Sequence, residues 1–98
     1  MKLWVDDVRR PPSEDYYWLH TTIEAKRMVE AFIGEIEELN LDHDAGDYEI
    51  FGGDYIKILD YIEAHYPENN IVFVFHTMNP VGRDNMKAIC ERNGWRIG

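Results

Sequence analysis

The chain has 98 residues, 45% hydrophobic and 30% charged, which is ordinary globular usage and sets aside disordered and fibrous classes. Its 19 acidic against 10 basic residues give a formal charge of -9, a field that repels a phosphate backbone and argues against indiscriminate nucleic-acid binding. A phosphorylated end stays admissible at one local site where a cation reverses the potential.

Lys2 to Val5 is short, mostly apolar and runs into Asp6-Asp7, as a buried strand ending in a polar loop does. The two prolines of RRPPSED lack donors and restrict their neighbours, so Arg9 to Asp15 reads as loop. Tyr16 to His20 reads as a brief aromatic strand. Thr21 with Glu24 three residues on is a capping-box pattern, and Ala25, Met28, Val29 and Phe32 follow at helical spacing until Gly34 offers a stop. Glu35 to Leu41 is a third strand, interrupted by Glu37 and Glu38.

After LDHDAGDYEIFGG, the positions Tyr55, Ile58, Leu59 and Ile62 mark a second helix that Pro67 ends. Ile71 to Phe75 is an unbroken apolar run, expected as a strand buried on both faces. Met86, Ile89 and Cys90 share one side of a third helix that starts between Asn79 and Asp84 and stops at Gly94. Trp95 to Ile97 adds a short final strand. Strands alternating with helices predict one α/β domain over residues 1–98, a single-layer parallel sheet flanked by helices with right-handed crossovers.

Cys90 is the only cysteine, so neither an intramolecular disulfide nor a multi-cysteine zinc site can be built, and the cytoplasm is the expected compartment. Its place on the apolar side of a helix points to packing. No basic-then-apolar segment opens the sequence, and no apolar run approaches the roughly 20 residues of a membrane span, so no membrane partner is expected.

Three predicted strands end in chemically capable groups: Asp6-Asp7, Asp42-His43-Asp44 and His76-Thr77. In the order 2-1-3-4-5 the first, third and fourth strands are neighbours at roughly 4.8 Å, close enough for these side chains to meet where such sheets bind ligands. Four crowded carboxylates, Asp6, Asp7, Asp42 and Asp44, need a cation; magnesium suits oxygen ligands best, while the histidines leave room for manganese or zinc. Aspartates also gather at strand ends simply to form turns, and a histidine there can merely fix a loop. Thr77, Asn79 and Arg83 form a phosphate cradle beside a helix start, although Asn79 can equally serve as its cap. LDHDAGD is no calcium loop, because the twelfth position from Asp42 is Gly53 where a bidentate glutamate is required.

The segments KLWVDDVRRPP, LDHDAGD, GGDYIKILDYIE and FHTMNPVGRDNM together resemble the cyclic-phosphate processing receiver-like domain, an offshoot of the response-regulator receiver fold. The resemblance implies strand order 2-1-3-4-5, metal binding by Asp6 and Asp7, a phosphoacceptor role for Asp42, and phosphoryl contact by Thr77. His76 has no counterpart in a signalling receiver. The chain departs from such a receiver in lacking its first and last helices and in reading WRIG where the fifth strand ends in lysine.

The leading functional expectation is a metal-dependent phosphoesterase, with Asp42, His76 and His43 catalytic, acting on a phosphorylated small molecule or the cyclic phosphate end of a nucleotide or RNA. A second is a stand-alone receiver-like signalling or binding module phosphorylated on Asp42. A third is an interaction domain for a basic protein. Loss of two helices would bare apolar sheet, which leaves a homodimer open.

Overall fold

A computed structural model describes residues 1–98. In chain order the elements are β1 (Lys2–Val5), β2 (Tyr16–Leu19), α1 (Thr22–Phe32), β3 (Glu38–Leu41), a 3-10 turn (Gly46–Tyr48), α2 (Ile56–His65), β4 (Val72–Phe75), α3 (Pro80–Asn93) and β5 (Arg96–Ile97). The strands form one parallel sheet in the order β2-β1-β3-β4-β5, so the expected fold class and strand order are borne out.

Local signals explain most boundaries. Thr21 Oγ1 accepts from the Glu24 amide at 3.0 Å, and the Glu24 carboxylate accepts from the Thr21 amide at 3.2 Å, which completes the capping box of α1. Asn79 caps α3 through a 3.0 Å bond from the Gly82 amide, so that helix starts at the early end of its expected window. The third strand is shorter than the expected Glu35 to Leu41. The amides of Glu35 and Ile36 both bond to the Phe32 carbonyl, at 2.8 and 3.2 Å, and so belong to the turn that ends α1.

All three helices lie on one face. The crossovers through α1, α2 and α3 each step the same way across the sheet, and right-handed connections then place their helices on the same side. Leu3, Val5, Leu39, Leu41 and Phe73, which alternate to that side, are buried in one core with Val29, Ile58, Ile62, Met86 and Cys90. Burial pushes the Cys90 thiol up to about 12, in keeping with packing.

The opposite face carries Trp4, Tyr16, Trp18, Asn40, Val72 and Val74 and has no helix over it. Burial of the fourth strand on both faces is thereby corrected: Phe73 is buried, whereas Val72, Val74 and Phe75 are half-buried. A loop, not a helix, joins β1 to β2, and its Arg9 carbonyl accepts from Trp4 Nε1 at 2.8 Å. No helix is long and apolar enough to cross a membrane.

On the surface, Arg92 grips Glu63 with two bonds of 2.7 and 2.6 Å and so links α3 to α2. Arg92, aided by Asn93, holds the Glu63 carboxyl at about 2, below its ordinary 4.5. A folded pKa below the unfolded one means that the contribution is complete above pH 4.5 and is lost as pH falls toward 2. Urea unfolding followed across that window is expected to show a shallower loss of stability in Glu63→Gln than in the native chain.

Candidate functional site

The site grows from sheet register. Val5, Leu41 and Phe75 are paired across β1, β3 and β4, so the next residues, Asp6, Asp42 and His76, leave the sheet at one level. The ladder extends to them: the amides of Asp6, Asp42 and His76 donate to Leu19, Val5 and Leu41 at 3.1, 3.0 and 3.0 Å. Candidate ligand atoms of these three side chains lie within 4.8 Å of one another.

Asp6 is 1% exposed. Its Oδ1 accepts from the amides of Val8 and Arg9 at 3.0 and 2.8 Å, and its Oδ2 lies 2.8 Å from His76 Nε2. Burial works to raise its pKa, but the two amides and His76 outweigh it and hold the carboxyl below its ordinary value. The His76 ring stacks on Trp4, centroids 3.8 Å apart and planes within 4°. Burial lowers its pKa against the pull of Asp6, so the neutral ring is favoured.

A neutral ring has one N–H. Asn40 Oδ1 lies 2.7 Å from Nδ1 and Asp6 Oδ2 lies 2.8 Å from Nε2, so each ring nitrogen faces an oxygen acceptor and a single proton satisfies only one of them. Asp6, Asp42 and His76 together offer two carboxylates and an imidazole, a donor set suited to a cation that displaces any proton held between Nε2 and Asp6 Oδ2. The Asn40 contact matches the outer-shell bond that normally fixes a ligating histidine.

The other two expected ligands, Asp7 and Asp44, fall outside this three-residue group. Burial, then Asp6 and the charge of Asp42, raise the pKa of Asp7. Its carboxylate rests on Gly46, where a Cβ would come within 2.2 Å of Oδ2 and where φ is +57°, so only glycine fits. Asp44 groups with His43 and Asp54, its Oδ1 2.9 Å from His43 Nδ1. The His43 ring is pressed on α3, where a Cβ at Gly82 would approach its Cγ to 2.5 Å. Asp42 Oδ1 accepts from the His43 amide at 2.8 Å.

A cavity of about 420 Å³ is lined by Arg9, Asp42, Asp44, Thr77, Met78 and Asn79. Thr77 and Asn79 thus meet Asp42 there. Thr77 Oγ1 accepts from the Asn79 amide at 3.1 Å, while Asn79 Oδ1 is committed to the helix cap. Arg83 is not part of this lining; its Nη2 donates to the Thr77 carbonyl, and its Nε is buried without a partner.

Sequence reasoning missed three residues. Asn40 had a signal, as a lone amide within an apolar strand. Trp4, in sequence only an aromatic within a short strand, carries the His76 ring. Arg9 was read only as loop and lines the cavity.

A parallel sheet in this order with acids and a histidine at its carboxyl edge defines a receiver-like α/β domain. Residues 1–92 match the model of the family described as cyclic-phosphate processing Receiver domain, and the chain belongs to that family. Comparison with curated proteins and with solved structures gives no match.

Replacing Asn40 by leucine removes the acceptor at His76 Nδ1. The expected cost is ~1–3 kcal/mol of stability with the fold retained, together with a changed tautomer signature of His76 in nitrogen-15 NMR. An unchanged His76 spectrum would show that Trp4 and Asp6 alone orient the ring.

Proposed function

We propose that this domain is a metal-dependent phosphoesterase that opens cyclic phosphodiesters, with a phosphorylated small molecule or the end of a nucleotide or RNA as substrate. The observation that carries this reading is the convergence of Asp6, Asp42 and His76 beside a cavity lined by Thr77 and Asn79. Two carboxylates and an imidazole would hold the ion, a mixture that favours manganese or zinc over magnesium. When bound, the ion supplies Lewis-acid polarisation of a phosphoryl oxygen.

The chain's own groups do the rest. Thr77 Oγ1 already accepts from the Asn79 amide, which leaves its O–H to donate to a phosphoryl oxygen. The Asn79 side-chain NH₂ is likewise available, because the cap uses its oxygen. His43 is not itself in the cavity lining, but it lies in the chain between two aspartates that are, and its Nδ1 contacts Asp44 Oδ1; it would serve as the proton carrier. Water oxygen bonds to phosphorus as one ring P–O bond breaks; the water proton passes to His43 and from there to the departing sugar oxygen, giving a monoester.

Purified protein offered 2′,3′-cyclic nucleotides with manganese, zinc or magnesium is expected to turn them over and to stop when the metal is chelated. Asp42→Asn, His76→Gln and His43→Gln should each lower the rate on the order of 100-fold or more. Absence of turnover with every metal would remove the proposal.

A second reading, a stand-alone signalling or binding module that accepts a phosphoryl group on Asp42, draws on one feature. Asp42 Oδ1 is tied to the His43 amide, and the side chain lines the cavity beside Thr77. Intact mass after acetyl phosphate treatment tests it: one added phosphoryl group, absent from Asp42→Asn, is the outcome this reading requires.

A further inference from the structure

The phosphate cavity contains one cation, and the expected one, Arg83, is not it. Arg83 is turned back onto the Thr77 carbonyl. Arg10 lines a separate cavity with Pro11, Ser13, Glu14, Tyr16 and Trp18. Arg9 alone brings positive charge to the space bounded by Asp42, Asp44, Thr77, Met78 and Asn79.

Four features distinguish Arg9 from a surface arginine. Its backbone is held at both ends, the amide by Asp6 Oδ1 at 2.8 Å and the carbonyl by Trp4 Nε1 at 2.8 Å, so the residue that floors the site also places it. Its guanidinium donates to the carbonyl of His76 at 3.1 Å, which ties the side chain to the end of β4. It forms no ion pair: the salt bridges are Met1–Glu37, His43–Asp44, His76–Asp6 and Arg92–Glu63. One guanidinium N–H is engaged, and the remaining donors of the planar fork are free. An exposed arginine left unpaired beside cavity carboxylates is a cation available to a ligand.

Building on the phosphate-site reading above, we infer that Arg9 is the anion anchor of this cavity and selects a singly charged phosphodiester. The fork matches two phosphoryl oxygens at once, which a lysine ammonium does not. The other charged residues of the lining, Asp42 and Asp44, are acidic. With Arg9 facing two carboxylates the lining is acidic on balance, so each added negative charge on the ligand is penalised and a doubly charged monoester is repelled more than a singly charged diester. The cyclic diester is therefore held in preference to its ring-opened product, and ring opening itself promotes release.

The plain alternative is that Arg9 only ties its loop to the end of β4. Arg9→Gln removes the charge and, being two bonds shorter, also the His76 contact, so melting temperature reports the loop tie while Arg9→Lys, which keeps the charge and an N–H donor, reports the fork. Calorimetric titration with 2′,3′-cyclic AMP, in chelator and in manganese, would be run on the native chain, Arg9→Gln and Arg9→Lys, with 3′-AMP as the opened comparison. Expected are binding of the cyclic diester by the native chain, weaker binding of 3′-AMP, a loss of about 10-fold or more in Arg9→Gln, an intermediate loss in Arg9→Lys, and little change in melting temperature.

Native affinity in Arg9→Gln would overturn the inference and leave the phosphate site standing. Equal affinity of the native chain for the cyclic and opened nucleotides would overturn the charge selection. Failure of the native chain to bind either would remove both the site and the anchor. If Arg9→Gln does not fold, Arg9→Lys decides, since native affinity there would overturn recognition by the fork.

Discussion

The 2.8 Å approach of His76 Nε2 to Asp6 Oδ2 is the contact on which the site depends. It joins residues that are 70 positions apart in the chain, and it exists because β1, β3 and β4 end at one level. Asn40 and Trp4 then remove the ring's remaining freedom, one by binding Nδ1 and the other by stacking. Desolvation makes the arrangement exacting, since burial opposes charge on His76 while Asp6 stays ionised. Asp6 Oδ2 and His76 Nε2 are left 2.8 Å apart with Asp42 close by, a group that could hold a metal ion.

The open sheet face is the architectural condition for this. A helix between β1 and β2 would cover Trp4, Tyr16 and Asn40, and the His76 ring would have nowhere to lie. The loop that replaces it occupies only the upper edge, where Trp4 Nε1 and Trp18 Nε1 donate to the carbonyls of Arg9 and Asp6. The same loop carries Arg9 to the cavity. Removing a helix therefore exchanges apolar burial on one side for access and for a polar layer built on aromatic rings.

The carboxylates illustrate how a fold divides an acidic cluster. Asp6 is buried and stabilised by amides, Asp42 stands at the cavity, Asp7 is turned toward Gly46 with its pKa raised, and Asp44 serves His43. Asp6 and Asp7 are shifted in opposite directions, and all four side chains take different partners from their surroundings alone.

Much of the fold was legible from local chemistry. The Thr21–Glu24 box, the Asn79–Pro80 start, the prolines and the apolar spacings act within one or two turns of chain, and so they specify elements before any packing occurs. The strand order was readable at family level, and with it the fact that acids and a histidine end neighbouring strands. Which of those acids come within reach of one another was not, because that depends on register and on which side of the sheet each side chain leaves. Nor could the pattern distinguish Arg9, which faces the cavity, from Arg83, which turns away; long side chains take their direction from partners that only the folded chain supplies. Asn40 marks the boundary between the two kinds of information: its oddness within a strand is written in the sequence, but its purpose appears only when His76, 36 residues on, is brought 2.7 Å away.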